Sequence, residues 1–344
     1  MTVRALTVQA GVAGSARVED VADPEPAAGE VVVETLMVGV CGTDHEIVNG
    51  DFGRAPAGRD RFILGHEAVG RVVSESDGGL VVPVVRRPDP VPCPSCAAGE
   101  WDMCQNGGYT EHGITGFDGF AVERFAIERD RLVSVPPQLG DLAVLVEPTS
   151  IVAKAWEQIE RIGSRAHWEP KTALVVGAGP VGLLAALLAC QRGFATHVYD
   201  IVTDGPKPQL VADLGAEYHT GELTEVCPRA DIVVECTGIG SVVLDAIGHN
   251  APNGIVCLAG LSGGTRAIEV DAGALNRGLV LDNDVVFGTV NANLRHYRAA
   301  VDALSRADGE WLRRLITRRV PLAGWEQALE HHADDVKVVI EIAK

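Results

Sequence analysis

The spacing of hydrophobic positions changes about halfway along the chain. Up to about residue 150, short runs that alternate apolar and polar positions, or are wholly apolar, are separated by glycine and proline. This pattern predicts short strands in an all-β, barrel-like domain. The clearest runs span residues 1–9, 31–36, 68–73 and 80–85.

Beyond residue 150, apolar strands alternate with helical patterns, which predicts a parallel, doubly wound sheet. The predicted helices span residues 151–161 and 183–192, and the predicted strands span residues 174–176, 197–199, 232–235, 254–258 and 284–287. The tail has a predicted helix at 295–304 and predicted strands at 315–320 and 336–342, and we expect it to return to the first domain. The expected domains are therefore 1–153, 154–292 and a returning segment 293–344.

Composition narrows the class of protein. A chain of 344 residues with 47% hydrophobic residues suits two domains. The net charge of -18 argues against nucleic acid or an anionic membrane as a partner. There is no signal-peptide pattern and no apolar run near 18 residues, so we expect a cytoplasmic protein. Three of the eight cysteines fall between 93 and 104, which fits metal ligands in a reducing compartment better than disulfides.

A glycine fingerprint follows the first predicted strand of the second half. Gly177 allows a tight turn, Gly179 lets the backbone approach a pyrophosphate, and Gly182 lets the next helix pack closely on the strand. Pro180 and Val181 complete the start of that helix, whose amino terminus would hold the phosphates. The preceding strand, the following helix and an acid about 20 residues later are the context that this motif requires. The pattern predicts a dinucleotide site.

The acid that closes the fingerprint, Asp200, indicates which dinucleotide binds. A carboxylate there accepts hydrogen bonds from the ribose hydroxyls and repels a 2′-phosphate, which favours NAD over NADP. Residues 201–204 contain no arginine, and the nearest cation is Lys207. The alternative is that Asp200 only caps a turn. At other carboxyl ends of the predicted sheet, we expect Thr237 to contact the cofactor and Thr289 and Val290 to face the nicotinamide.

The first half and its boundary carry ligands for a metal. Cys41, His66, Glu67 and Glu147 offer the sulfur, nitrogen and oxygen atoms that tetrahedral zinc accepts, and a catalytic zinc uses three such ligands while one position stays open. The alternative reading is that an isolated cysteine near a strand end is usually buried and inert. Together, the residues predict a single-zinc catalytic site.

Several motifs follow one another in a fixed order. They are Gly39-Val-Cys-Gly-Thr-Asp44, Gly65-His-Glu67, a cysteine-bearing loop, Glu147-Pro148, Gly177-Ala-Gly-Pro-Val-Gly182, Glu235-Cys-Thr-Gly238 and Val336-Lys-Val-Val-Ile-Glu341. In this order they resemble the zinc-dependent medium-chain dehydrogenases across nearly the whole chain. Four further blocks resemble the glucose dehydrogenase branch more narrowly: residues 41–50, 85–88, 111–120 and 290–291.

The resemblance implies a fold, a reaction and an assembly. The fold would be a GroES-like β-barrel catalytic domain with a Rossmann dinucleotide-binding domain. The reaction would be oxidation of an aldose, glucose or a glucose derivative, at its anomeric hydroxyl to the lactone, with hydride delivered to NAD. Relatives of this kind pair through the edges of their sheets, which implies a homodimer or homotetramer.

The resemblance also implies roles for single residues. Cys41 and His66 would bind the catalytic zinc, and Glu67 and Glu147 would bind it directly, through water, or alternately. Thr43 would contact the reacting hydroxyl and start a proton relay, for which His45 is a second candidate unless it is simply a surface histidine. The other sugar hydroxyls would bond to the remaining matched residues, Glu111 and Asn291.

The cysteine-bearing loop matches the family's structural zinc site incompletely. Cys93, Cys96 and Cys104 correspond to its last three ligands, but Pro90 stands where the first cysteine is expected. The candidates for a fourth ligand are Asp89, Glu100 and Asp102; otherwise the loop carries three reduced thiols. Asp89 could instead reach toward the sugar.

Two other functions compete with sugar oxidation. A polyol or acyclic alcohol dehydrogenase would share the zinc and the nicotinamide but would have no use for Glu111 and Asn291. A zinc-free quinone reductase or a non-catalytic NAD-binding protein would share only the two-domain plan. The complete set of zinc ligands speaks against the second class.

Overall fold

The computed structural model describes residues 1–74, 78–263 and 267–343. The chain forms two compact units. The first comprises Met1–Ser150 and Asn291–Lys344, and the second comprises Ile151–Val290. The predicted boundaries, after residues 153 and 292, lie slightly further along the chain.

The amino-terminal part of the first unit consists mainly of short strands. These are β1 (Thr2–Gln9), β2 (Arg17–Ala22), β3 (Glu30–Val40), β4 (Arg61–Ile63), β5 (Glu67–Val72), β6 (Leu80–Pro83), β7 (Arg86–Arg87), β8 (Thr110–His112), β9 (Gly116–Phe117), β10 (Arg124–Glu128) and β11 (Leu132–Ser134). The helices are α1 (Gly42–Val48), α2 (Pro94–Ala97) and the start of α3 (Val146–Gly163), with 3-10 turns at Trp101–Met103, Arg129–Arg131 and Pro137–Leu145.

The second unit alternates strands and helices. After α3 follow β12 (Thr172–Val176), α4 (Pro180–Gln191), β13 (Ala195–Tyr199), α5 (Pro206–Asp213), β14 (Glu217–His219), α6 (Leu223–Val226), β15 (Ala230–Glu235), α7 (Gly240–Gly248), β16 (Asn250–Leu258), α8 (Ala272–Asp282) and β17 (Val285–Gly288). The chain then re-enters the first unit with α9 (Leu294–Ser305), α10 (Gly309–Leu315), β18 (Ile316–Pro321), a 3-10 turn at Leu322–Gly324, α11 (Trp325–Ala328) and β19 (Lys337–Glu341).

The principal sheet of the first unit includes strands from both ends of the sequence. Its order is β11-β6-β5-β3-β19-β18, with β10 also paired to β3. Inward-facing positions of β3 alternate along most of its length, which is the period expected of a strand with one buried face. The antiparallel register places Gly39 of β3 opposite Glu67 of β5 on one side and opposite Val339 of β19 on the other. The carboxyl-terminal strand therefore lies directly beside the strand that leads to Cys41.

The sheet of the second unit is parallel and has the order β14-β13-β12-β15-β16-β17. Counted from β12, this is the 3-2-1-4-5-6 order of a Rossmann fold, in which ligands bind where the strand order reverses, between β12 and β15. The central strand β12 is buried from Ala173 to Val176, as expected of a strand covered by helices on both faces. The predicted fold class is confirmed.

A helix that crosses a lipid bilayer needs about 20 mostly apolar residues. In the described part of the chain, no helix is long and apolar enough to cross a membrane.

Candidate active site

The turn from β3 into α1 positions Cys41. Cys41 caps α1, and its backbone N–H donates a hydrogen bond of 2.9 Å to Oδ2 of Asp44, three residues later. His66 and Glu67 stand at the start of β5, next to the end of β3 in the sheet. As a result, Cys41 Sγ lies 3.1 Å from His66 Nε2, and ligand atoms of Cys41, His66 and Glu67 all lie within 4.8 Å of one another.

Asp44 faces the other side of the His66 ring, a contact that the sequence reasoning missed. Its Oδ1 lies 3.5 Å from His66 Nδ1, and its side chain is only 2% exposed. A carboxylate behind a metal-binding histidine fixes the orientation of the ring. The position of Asp44 three residues after Cys41 could have indicated this contact, because an acid at that spacing can fold back onto the residue that caps the helix.

The pKa shifts of His66 and Asp44 reflect the charged groups around the His66 ring. Burial lowers the pKa of His66, but the charges of Cys41 and Asp44, together with hydrogen bonding, outweigh burial and raise that pKa well above its usual value. Burial raises the pKa of Asp44, but the charge of His66 and hydrogen bonding to the carboxylate together outweigh burial, so the pKa is lowered. The surroundings therefore favour a positive charge between Cys41 and Asp44.

Glu67 is paired with a buried lysine from the far end of the chain. Lys337 of β19 forms an ion pair with Glu67 Oε2, and its Nζ also donates a hydrogen bond of 2.9 Å to the carbonyl oxygen of Val40. Burial lowers the pKa of Lys337, but the charges of Glu67, Cys41 and Asp44 together with hydrogen bonding to Glu67 outweigh burial, so the pKa is raised and the lysine stays charged. The sequence reasoning missed this residue, although a lysine inside an apolar strand was a signal.

Glu147 is buried in the first turn of α3, outside the 4.8 Å cluster of ligand atoms. Burial raises its pKa to about 7, the charge of Glu67 adds to that rise, and the charge of His66 opposes it. Three of the four expected ligands are therefore brought together, with Glu147 electrostatically coupled to them.

This donor set fits a zinc ion. A thiolate, an imidazole and a carboxylate are zinc ligands, and three of them leave a coordination position open, as in catalytic zinc sites. Asp44 places a buried carboxylate oxygen 3.5 Å from His66 Nδ1, on the side of the ring where a carboxylate commonly supports a zinc-binding histidine.

A second buried carboxylate, Glu111, is bonded asymmetrically. Its Oε1 lies 3.1 and 3.0 Å from Nε and Nη2 of Arg86, and 2.7 Å from Nδ2 of Asn291. Its Oε2 accepts no hydrogen bond from the described residues. The guanidinium of Arg86 stacks on Tyr109, 3.7 Å from the ring centroid, so the cation is held in place. Glu111 and Asn291 are brought together as expected, while the contact of Arg86 with Glu111 was missed, although Arg86 lies in the block of residues 85–88.

Asn291 adopts a left-handed backbone conformation with φ 61°. Asparagine tolerates this region better than most residues. Its Oδ1 accepts the N–H of Ala292 at 2.8 Å, which orients Nδ2 toward Glu111.

Thr43 and His45 lie on α1, and both are half-buried. Among the described residues, neither side chain has a hydrogen-bond partner. The proton relay assigned to them stays a prediction.

The loop cysteines converge as a separate group. Ligand atoms of Cys93, Cys96 and Cys104 lie within 4.8 Å of one another. Cys93 Sγ accepts N–H groups from Gln105 at 3.3 Å and Cys96 at 3.4 Å, and these bonds lower the pKa of Cys93 to about 6. Such bonds stabilise a thiolate, the form that binds zinc.

The candidate fourth ligands of this loop are engaged elsewhere. Asp89 accepts hydrogen bonds from the Val91 N–H at 2.8 Å and from Asn106 Nδ2 at 3.0 Å, so it holds the loop together. The other two candidates bond to residues near the start of α9: Glu100 to Arg295 at 3.3 Å and Asp102 to Asn293 at 2.7 Å. The Asp89 carboxylate is not among the grouped ligand atoms of the three thiols, although the Asp89 backbone N–H bonds to Cys96.

The glycine fingerprint of the second unit has the expected geometry. Gly177 has φ 101° and donates a 2.7 Å hydrogen bond to the carbonyl oxygen of Tyr199. A side chain at Gly182 would collide with the carbonyl oxygen of Gly177, while a Cβ at Gly179 would meet no atom within 4 Å. The space beside Gly179, at the start of α4, is therefore open for a phosphate. Pro180 and Val181, both half-buried, form the first turn of that helix.

Asp200 ends β13 and bonds to the fingerprint loop. Its Oδ2 accepts the N–H of Ala178 at 2.7 Å and lies 3.2 Å from Lys207 Nζ, and its Oδ1 accepts the N–H of Val202 at 3.0 Å. The carboxylate thus caps local turns and lies beside a cation.

Residues that follow the carboxyl ends of β15 and β17 lie at the same edge of the parallel sheet. Thr237 donates to the fully buried Glu235, an anchor that sequence reasoning missed. Thr289 and Val290 line a cavity of about 330 Å³ with five others: Leu258, Ala259, Gly260, Leu261 and Gly288. Among the described residues, the buried Thr289 Oγ1 has no hydrogen-bond partner.

Comparison with protein families identifies the chain. The family model described as "Glucose dehydrogenase C-terminus" matches residues 140–342, and "Alcohol dehydrogenase GroES-like domain" matches residues 27–137. The chain belongs to the glucose dehydrogenase family. The resemblance to zinc-dependent medium-chain dehydrogenases is thereby confirmed.

Individual members of the glucose dehydrogenase family are similar over their full length. Glucose 1-dehydrogenase 2 of Vulcanisaeta moutnovskia is 41% identical, with 99% of each chain covered. Glucose 1-dehydrogenase of Methanocella arvoryzae is 40% identical with the same coverage. The solved glucose dehydrogenase of Haloferax mediterranei in complex with NADP, Zn and gluconolactone is 34% identical, with a TM-score of 0.92 and 99% of each chain covered.

Replacing Gly39 with alanine should disrupt the Glu67–Lys337 pair, because a Cβ there would collide with both side chains. We expect a loss of about 1–3 kcal/mol in the free energy of unfolding. The measurement is the urea midpoint. As a matched control, Gly278→Ala in α8 meets no atom within 4 Å and should gain about 0.5–1 kcal/mol. A Gly39→Ala midpoint at or above that of the wild type would contradict this.

Proposed function

We propose that the chain is a zinc-dependent, NAD-preferring aldose 1-dehydrogenase. It would transfer hydride from the anomeric carbon of glucose or a glucose derivative to NAD and release the aldonolactone. The observation that carries the proposal is Glu111, a buried carboxylate with one oxygen held by Arg86 and Asn291 and the other without a partner among the described residues. The curated relatives named glucose 1-dehydrogenases support it, as does the gluconolactone complex of the Haloferax enzyme.

Residues of the first unit would bind the metal, orient its histidine ligand and transfer the proton. Cys41 and His66 would hold the zinc ion, and Glu67 and Glu147 would bind it directly, through water, or alternately. When bound, zinc supplies Lewis acidity that lowers the pKa of a hydroxyl. Asp44 would keep the His66 ring oriented, and the proposed proton relay would begin at Thr43 and continue through His45.

Glu111 and Asn291 would contact the substrate. A carboxylate oxygen accepts a hydrogen bond from a sugar hydroxyl, and a buried acceptor built for a hydroxyl discriminates strongly against analogues that lack it. Arg86 already neutralises Glu111, so the sugar need not supply a charge. A neutral aldose therefore fits this group, whereas an acyclic alcohol leaves the acceptor unpaired.

A substrate panel tests this function directly. We expect zinc-loaded protein to reduce NAD with D-glucose or other aldoses, with rates at least tenfold above those for simple alcohols and acyclic polyols at matched concentration. The measurement is the initial rate of NADH formation. If activity is confined to acyclic alcohols, the proposal of a zinc-dependent dehydrogenase stands, but the proposed oxidation at the anomeric carbon is wrong.

Substitution of Glu111 tests the sugar contact. Glu111→Gln should raise KM for the sugar about tenfold or more, because a charged acceptor is replaced by a weaker neutral one. KM for NAD should change much less. Steady-state kinetics with each substrate varied gives both values, and Glu25→Gln, at an exposed glutamate, is the control. Equal changes in both constants, or none, would remove Glu111 from the sugar site.

The preference for NAD rests on Asp200. Its buried carboxylate at the end of β13 would accept bonds from the ribose hydroxyls and repel a 2′-phosphate, although Lys207 nearby reduces that repulsion. We expect catalytic efficiency at least about tenfold higher with NAD, roughly 1.4 kcal/mol. Asp200→Ser should narrow the ratio, whereas Asp204→Ser, at an exposed position, should not. A wild-type preference for NADP would overturn the assignment.

Two proposals concern the protein as a whole. We propose a homodimer or homotetramer, supported by β17, whose outer edge is unpaired among the described residues, and by the exposed Val280 and Leu281 of neighbouring α8. We also propose a cytoplasmic location, supported by eight free cysteines, which suit a reducing compartment.

A further inference from the structure

A cluster of metal-binding side chains lies in the second unit, separate from the residues assigned above. His197 lies on β13, and Glu217 and His219 lie on β14, the outer strand of the sheet. The parallel register pairs His197 with Glu217 and Tyr199 with His219. Side chains of register partners, and of residues two apart on a strand, share a face of the sheet. The three side chains therefore project together from one face.

The ligand atoms of these side chains have already converged. His197 Nδ1 lies 2.9 Å from His219 Nε2 and 3.5 Å from Glu217 Oε2, and His219 Nε2 lies 4.0 Å from Glu217 Oε1. In a tetrahedral zinc site with Zn–N bonds near 2.0–2.1 Å, neighbouring ligand atoms are about 3.4 Å apart. Small side-chain rotations would bring all three atoms to that spacing.

We propose that His197, Glu217 and His219 bind a divalent transition-metal ion at the edge of the nucleotide-binding sheet. Two imidazoles and a carboxylate are a ligand set suited to zinc and copper. The histidine side chains are 16% and 10% exposed, which limits competition from water, while Glu217 is 66% exposed. That opening leaves room for a water molecule as the fourth ligand.

The ion would link the outer strand β14 to its neighbour β13. The carbonyl oxygen of His219 accepts the N–H of Asp200 at 3.1 Å, so β14 directly supports the residue that ends β13. Metal binding would therefore stabilise the strand end that presents the Asp200 carboxylate. This site is independent of the proposed sugar chemistry, because none of its ligands belongs to the first unit.

Zinc stoichiometry tests the site on the intact protein. Wild type and variants are dialysed against the same buffered free Zn²⁺ concentration, and zinc per chain is measured by mass spectrometry. His219→Gln should hold one zinc fewer per chain than wild type. The control His167→Gln, at a histidine that is 91% exposed beside Glu169, should match wild type. Equal zinc contents of wild type and His219→Gln would overturn the proposal.

A milder variant guards against misfolding of His219→Gln. Glu217→Gln alters an exposed side chain and should fold, and removal of a direct carboxylate ligand should weaken zinc binding at this site by about tenfold or more. A zinc titration of each folded protein gives the affinity. If the Glu217→Gln titration curve overlays the wild-type curve, the metal-site proposal is wrong. That result would not bear on the proposed aldose activity, whose residues lie in the first unit.

Discussion

Buried negative charge at the end of β3 is the constraint on which the first unit depends. Cys41, Asp44 and Glu67 surround a single histidine, and Glu147 is electrostatically coupled to it; isolated charges buried away from water cost several kcal/mol each unless they are paired. Lys337 balances Glu67, and His66 lies between Cys41 and Asp44. A zinc ion held by Cys41 and His66 would supply the remaining positive charge, and metal binding would then stabilise this region.

The path of the chain follows from the same constraint. The residues that supply negative charge come from the first 150 positions, whereas Lys337 comes from the last strand, which inserts beside β3. Asn291, the first residue of the returning segment, likewise bonds to Glu111. The carboxyl-terminal return therefore completes both the charge balance and the proposed sugar-contacting group. A truncation before β19 would leave Glu67 buried without its cation.

Much of the fold and part of the site could be predicted from local patterns. The parallel sheet, the glycine fingerprint, and the convergence of Cys41, His66 and Glu67 followed from periodicity, spacing and ligand chemistry. Asp44, Arg86, Lys337 and Glu235 were missed because their roles depend on partners or packing that strand register and tertiary folding create. Boundaries were less predictable: α3 begins at Val146, five residues before the predicted helix, and thereby places Glu147 inside its first turn.

If Cys41 and His66 hold a zinc ion on which aldose oxidation depends, activity must follow the zinc content of the protein. The most direct measurement is the initial rate of glucose-dependent NAD reduction as zinc is returned stepwise to chelated protein, for wild type and Cys41→Ser. Wild-type activity should vanish on chelation and recover with zinc, while the activity of Cys41→Ser should stay near the baseline. Full activity in the metal-stripped wild type, or recovery by Cys41→Ser equal to wild type, would contradict this dependence.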